Sequence, residues 1–392
     1  MKNLWDENEA KNYQSDLDLR VYTSNLLGRS DELVLHGGGN TSVKSKVDGK
    51  DILFVKGSGW DLVSIKAAGF SGVELVFLQD MAKLETMTDS EMVSAQKEAM
   101  IDKSAPNPSV EAILHAIIPF KYVDHTHADA VVTISNSANS IENIKKLYPN
   151  FLVVPYVMPG FILARTIYLM IQEVNWNTCE GIILHNHGIF TFDDDAKKSY
   201  DKMIDAVSMA ENFLEQNAKV KLEQYIPDTS FDVEKLQEIM SKEKGYDITI
   251  KVDQTPLALN YVREDELEIF ATRGVLTPEH IIRTKRAPLI LNKDDNIQEA
   301  INTYKENYVK YFEQFKTDEI CLNSAPNWAV IKDYGVVCFG KDIKEVNIIN
   351  DIVSHTMMAV LRADKMGGYE SISLQDSFDM EYWELEQAKL KK

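Results

Sequence analysis

Apolar positions between residues 107 and 118 fall at Val110, Ile113, Leu114, Ile117 and Ile118. That is the i, i+3, i+4, i+7, i+8 spacing of an amphipathic helix. The spacing predicts a helix with Asn107 as its cap, Pro108 in its first turn and Pro119 as its stop. Glu111 and His115 then lie one turn apart, off the buried stripe. From Lys121 to His127 the pattern changes to the alternation of a strand, which puts His125 and His127 on one face. The same reading predicts a helix over 14–28, a short strand at Leu33–His36 and a strand at Asp51–Val55. Further on it predicts a surface helix at 141–147, a buried strand at Phe151–Val157 and a helix at Ile162–Val174. Gly181–Phe192 reads as one strand in which His185 and His187 share a face. The clearest helix is 195–215, whose stripe of Ala196, Tyr200, Met203, Val207, Ala210 and Leu214 needs only a core to explain it.

The polar stretch 222–247 reads as a connection, giving two domains, 1–222 and 245–392. The second holds a partial echo of the first: AVIKDYGVVCFGKDIK at 329–344 lies over IILHNHGIFTFDDDAK at 182–197. Lys332 and Tyr334 stand where His185 and His187 stand in the first half. A degenerate repeat and a chance strand–glycine–helix similarity explain this equally well, and a catalytic metal is not expected in 245–392. Arg273, His280, Arg283, Lys285 and Arg286 make 271–288 the most basic stretch. It is either a solvated face or a contributor to an anion pocket, with Arg283 and Lys285 the residues to test.

Composition narrows the function. The net charge of −19 opposes nucleic-acid binding over most of the surface, while leaving room for a local basic pocket. Three cysteines without a CxxC spacing argue against a disulfide framework or a thiolate zinc site. No apolar run reaches membrane-spanning length and the N-terminus has no leader-like core, so a cytoplasmic protein with no membrane partner is expected.

The candidate chemistry sits in two places. His125 and His127, two apart on a strand, form a bidentate metal half-site, and the carboxylate of Glu111 upstream favours metal over two merely hydrogen-bonded histidines. Gly37-Gly38-Gly39-Asn40-Thr41-Ser42 and Lys56-Gly57-Ser58-Gly59 are glycine-rich turns after predicted strands. Neither is a Walker loop or a complete GxGxxG, yet two such turns, one with a lysine, suit a phosphate cradle.

Taken in order, GGGN-TS, KGSG, PSVE, HTH and HNHG resemble the class II aldolase/adducin family of zinc-dependent sugar-phosphate aldolases and epimerases, over residues 14–220. The resemblance implies a three-layer α/β/α domain around a mainly β central sheet, with a second, smaller α/β domain after it. It implies zinc held by His125, His127 and His187, with His185 a decoy. It makes Glu111 the proton-handling carboxylate and places Asn40, Gly57 and Ser109 on phosphate-binding positions. Lys56 stands where the family often has Thr or Ser, and Val110 where it has a second Ser, so Lys56 and Ser58 are expected to take part in phosphate binding. LDLRVYTSNLLG, FVKGSGWDL, ATRGVLTPEHIIRTKRAP and FDMEYWELEQAKL are similar to the aldolase part of bifunctional rhamnulose-1-phosphate aldolase/short-chain alcohol dehydrogenase proteins, here without the dehydrogenase part.

That similarity implies a lyase cleaving a deoxy-ketose 1-phosphate to dihydroxyacetone phosphate and a short aldehyde such as lactaldehyde. The implied enzyme is a homo-oligomer, and a separate aldehyde dehydrogenase or reductase would act on its product. A 4-epimerase or dehydratase on the same zinc site, or a non-catalytic adducin-like module, are the alternatives.

Overall fold

The computed structural model describes residues 1–385. The tail of the FDMEYWELEQAKL segment therefore lies outside the described residues. The chain falls into two compact units, Met1–Ser135 with Asn139–Leu214, and the residues from Glu215 onward with Asn136–Ala138.

The first unit is built on a seven-stranded sheet: β1 (Asn40–Val47), β2 (Lys50–Lys56), β3 (Phe70–Glu74), β4 (Tyr122–Thr126), β5 (Phe151–Val154), β6 (Gly181–Leu184) and β7 (Gly188–Asp193), in the order β3-β2-β1-β4-β7-β6-β5. Only the β5–β6 pair is parallel. Successive side chains point to opposite faces, and both faces are covered. Leu53 and Val55 enter a large core with the helices Leu75–Met81, Ala112–Ile117 and Phe161–Met170. Val43 and Phe54 face the other way, with Tyr122, Ala196 and the helix Asp16–Gly28. This is the expected α/β layering.

A buried ion pair ties that second layer down. Arg20 Nη2 lies 2.5 Å from Asp124 Oδ1, and Ser199 Oγ donates to the other Asp124 oxygen at 2.5 Å. Two fully buried charges are tolerated because each is hydrogen-bonded as well as paired. Their effect is to fix β4, which carries His125, against the helices Asp16–Gly28 and Ala196–Asn217.

Five predicted elements come out differently. Leu33–His36 is a turn, not a strand. The central helix starts at Ala112, with Glu111 as its N-cap residue. Residues 107–109 are extended instead, because Gly57 bridges Pro108, Ser58 N–H donates to Asn107 O and Ser109 N–H to Lys56 O. Phe151–Val154 is a half-buried edge strand rather than a buried one. Gly181–Asp193 is a hairpin, β6 and β7, and not a single strand. The stretch 222–247 contains the helix Val233–Lys244, whose Leu236 and Met240 lie in the second unit's core.

The second unit has a four-stranded sheet of β8 (Thr249–Asp253), β9 (Leu289–Leu291), β10 (Trp328–Ile331) and β11 (Gly335–Gly340), ordered β8-β11-β10-β9. Pairing of β9 with β10 is parallel and the other two pairings are antiparallel. Among the described residues, no helix is long and apolar enough to cross a membrane.

Candidate metal centre and active site

Three histidines meet where β4, β7 and the turn before β7 come together. His125 sits in β4 opposite Asn40 of β1 on one side and Phe190 of β7 on the other. His127 follows just beyond the strand. His187 lies in the β6–β7 turn, where Asn186 adopts φ 57° and lets the chain reverse. Gly188 makes the approach possible: a Cβ there would stand 2.5 Å from Thr126 O and 2.9 Å from the His125 ring. Ring centroids are 4.8 Å apart for His125 and His127, 4.9 Å for His127 and His187, and 5.2 Å for His125 and His187. Their candidate ligand nitrogens all lie within 4.8 Å of one another, an arrangement that could hold a metal ion.

The ring orientations suit that use. His125 stacks on Phe190 at 4.1 Å and its Nδ1 lies 3.1 Å from Ile189 O. A carbonyl accepts only, so Nδ1 carries the proton and Nε2 keeps its lone pair for a ligand. Nε2 of His127 is 3.0 Å away, on the same side. His185 is elsewhere: its Nε2 meets Ser140 Oγ at 2.8 Å.

Glu111 reaches the cluster from the end of the central helix. Its Oε2 is 3.6 Å from His125 Nε2, and its Oε1 is 3.8 Å from His187 Nε2. Oε1 is buried and has no hydrogen-bond partner among the described residues. An orphaned carboxylate oxygen in a dry site is costly. A divalent ion among the three imidazoles would relieve it, so the donor set fits a metal.

A chain of hydrogen bonds fixes the other carboxylate oxygen. Asn40 Nδ2 donates to Glu111 Oε2 at 2.5 Å and to Ser109 Oγ at 3.2 Å. That orientation turns Asn40 Oδ1 towards His115 Nε2, with which it is hydrogen-bonded. Nε2 must therefore be the protonated nitrogen of His115, and Nδ1 accepts from Ser42 Oγ at 2.8 Å. Burial, above all, and then the neighbouring His125, Lys44 and Arg20 push the His115 pKa well below its ordinary value, which keeps the ring neutral. Sequence reasoning gave His115 no role. Its spacing of four from Glu111 was the available signal, but Glu111 caps the helix instead of standing within it.

The glycine-rich turns line the same region. Gly39, at φ 61°, packs so closely that a Cβ would stand 2.7 Å from His125 O. Lys56 is buried and donates to Gly37 O at 2.9 Å. Burial pulls its pKa down to about 8, against the opposing pull of Asp61 and Glu111. The N–H groups of Gly57 and Ser58 are already used, on Gly69 O and Asn107 O. Among the groups these two turns offer an anion are the Lys56 ammonium and the Ser58 hydroxyl. Ser109 Oγ accepts from Asn40 and from Glu111 N–H, both at 3.2 Å.

A sequence model described as the Class II Aldolase and Adducin N-terminal domain matches residues 19–214, and another, Aldolase class II, second domain, matches residues 230–390. The chain belongs to the class II aldolase and adducin family. Its match to the Uncharacterized oxidoreductase YuxG of Bacillus subtilis (strain 168) is 30% identical over 421 residues and takes in all of this chain. The chain spans 60% of that protein's length. The solved N-terminal Class II Aldolase domain of a conserved protein from Thermoplasma acidophilum is 42% identical, with a TM-score of 0.51, over 55% of this chain and 99% of its own. The l-fuculose-1-phosphate aldolase from Thermus Thermophilus is 14% identical, with a TM-score of 0.33, over 50% of this chain and 92% of its own.

Proposed function

We propose that this family member is a zinc-dependent lyase that cleaves a deoxy-ketose 1-phosphate of the rhamnulose-1-phosphate type. The products are dihydroxyacetone phosphate and lactaldehyde or a similar short aldehyde. One observation carries the reading: three imidazoles converge beside a buried carboxylate whose Oε1 has no other partner among the described residues. His125, His127 and His187 hold the zinc, and three neutral ligands leave its charge undiminished. Bound there, the ion would supply the Lewis acidity that draws electrons towards the ketose carbonyl as the bond breaks.

The protein's own groups do the rest. Cleavage of the bond between C3 and C4 takes the proton off the C4 hydroxyl as C4 becomes the aldehyde, and leaves the electron pair on C3, conjugated with the C2 carbonyl; C3 must then take up a proton. Glu111, held through Oε2 by Asn40, delivers the proton in cleavage and removes it in the reverse condensation. Lys56 and Ser58 hold the phosphate and so fix the carbon skeleton. Asn40 and Ser109 lie on the family's phosphate-binding positions, but here their side chains also hold Glu111 in place, so they link the two functions. On this reading the protein is a cytoplasmic homo-oligomer, and a separate aldehyde dehydrogenase or reductase takes its product.

The test is a panel of ketose 1-phosphates assayed with added zinc, following dihydroxyacetone phosphate and aldehyde together. Equal amounts of the two products are expected from one deoxy-ketose phosphate. A 4-epimer or a dehydrated sugar as the product would replace this reading.

A further inference from the structure

The second unit contains a cavity of about 760 Å³ that no step above uses. That volume suits a small organic molecule. Its wall includes Arg286, Glu268, Asn307, Tyr304, Tyr308 and Tyr311. Arg286 comes from the basic stretch 271–288, so the structure separates the cations of that stretch by what they face. Arg273 is paired with Asp364 at 2.9 Å. Lys285 points inward, 3.6 Å from Glu381 and over the Tyr308 ring, and cannot meet a solute from outside. Arg283 is exposed.

Arg286 differs from all of these. It is half-buried and has no carboxylate partner among the described residues. Its guanidinium is steadied from behind by two long hydrogen bonds, Nη1 to Ser377 Oγ at 3.3 Å and Nη2 to Arg273 O at 3.4 Å. Gly274, at φ 115°, makes room for it, since a Cβ at that position would collide with Nη1. A guanidinium drawn out of water without a counter-charge is expensive. One held rigidly at a cavity wall is ready for a planar anion, which it can grip through two parallel N–H donors.

The rest of the wall defines the body of the ligand. Tyr304 donates its hydroxyl to Ala287 O and Tyr308 to Glu381 Oε1, so ring surface is what these two offer the cavity. Ring surface favours flat or apolar groups. Glu268 is the charged group that would repel a second negative charge.

We propose that this cavity binds a small organic acid, with one carboxylate on Arg286 and an uncharged flat or apolar body against the tyrosines. The experiment is titration of the full-length chain with phenylacetate, benzoate and cyclohexanecarboxylate by calorimetry and ligand-observed NMR, with inorganic phosphate as the comparison anion. Saturable binding of at least one acid, tighter than phosphate, is expected. Arg286→Gln should weaken it about tenfold to a hundredfold, the scale of a lost charged hydrogen bond at 1.4 kcal/mol per factor of ten. Thr303→Trp, on the exposed rim, should weaken it comparably while keeping Arg286 and the circular dichroism spectrum. His187→Tyr should leave the affinity within about twofold, which separates this site from the histidine site. Failure of all three acids to bind, unchanged affinity in Thr303→Trp, or loss of binding in His187→Tyr would each overturn the proposal.

Discussion

Two hairpins, β6–β7 in the first unit and β10–β11 in the second, are built alike. Leu184 pairs with Gly188 at the end of one, and Ile331 with Gly335 at the end of the other. Asn186 and Asp333, each two residues before its glycine, take the same left-handed backbone at φ 57° and φ 60°. A parallel strand flanks each hairpin on one side, an antiparallel strand on the other, and a long helix follows, Ala196–Asn217 or Ile343–Lys365. Yet in the second sheet Val252 stands opposite Val337, where His125 stands opposite Phe190 in the first. Gln254 follows in the place of His127, and Tyr334 occupies the turn in the place of His187. Among the described residues, the second unit also has no counterparts of β1, β2 and β3, nor of the glycine turns, Asn40 and Lys56 that go with them. One scaffold thus brings three side chains together, two from the flanking strand and its end and one from the hairpin turn, and in the first unit all three are histidines that could hold a metal ion.

The most severe way to break the comparison is to give the first hairpin the second one's residue. His187→Tyr should keep the fold by circular dichroism, lose its bound metal by elemental analysis and lower kcat/KM about 10⁴-fold, the scale of a lost Lewis acid. Full metal content in that variant would mean the turn residue is not what separates the two hairpins. Next in size is Glu111→Gln, which should retain the metal and lose about 10²–10³-fold in kcat, since an amide cannot carry the proton. Near-normal cleavage by that variant would place the proton transfer elsewhere.

His115→Phe sharpens the comparison further, because the relay through Asn40 belongs to the first unit alone. A drop of about tenfold in kcat is expected with metal and KM little changed, the scale of one buried hydrogen bond. His115→Gln, which can still donate to Asn40, should recover part of it; recovery in neither kcat nor pH profile would reduce His115 to a packing role. The smallest effect concerns Lys56, whose lowered pKa means that it is charged below about pH 8 and neutral above. KM for the phosphorylated ketose should rise about fivefold from pH 7 to pH 9 as that charge is lost. The unphosphorylated ketose should show no such rise, and Lys56→Arg should flatten it. A rise that persists in Lys56→Arg would assign the titration to another group.

Much of this was readable beforehand because it rests on local signals. His125-x-His127, the two glycine turns and the stripe of Ala196–Leu214 each follow from spacing or backbone freedom within a few residues. Other parts depended on partners far away in sequence. Residues 107–109 carry the cap and proline signals of a helix start but are pulled straight by hydrogen bonds to Lys56 and Ser58, in a bridge that pairs Gly57 with Pro108. Gly181–Phe192 reads as one apolar run, and only the left-handed Asn186 folds it into a hairpin; an Asn two residues before a Gly was the hint. That fold is also why His185 and His187 part company, the one towards Ser140 and the other towards Glu111. Lys285 belonged to a basic stretch by composition, but Glu381 draws it inside.

The chain's first residues bind some of the first unit's last. Leu4 N–H donates to Tyr200 Oη at 3.0 Å, and Asn3 Nδ2 to Asp201 Oδ1 at 2.7 Å. During synthesis the N-terminal segment therefore emerges early and waits for its partner while nearly two hundred residues are added. At about 5–20 residues per second that wait is on the order of ten seconds or more. The Arg20–Asp124 pair imposes a shorter delay of the same kind across 104 residues. Long-range closures of this sort slow folding relative to local ones. The unit is thus expected to close late and as a whole on the ribosome, with the helix Ala196–Asn217 as the piece that completes it.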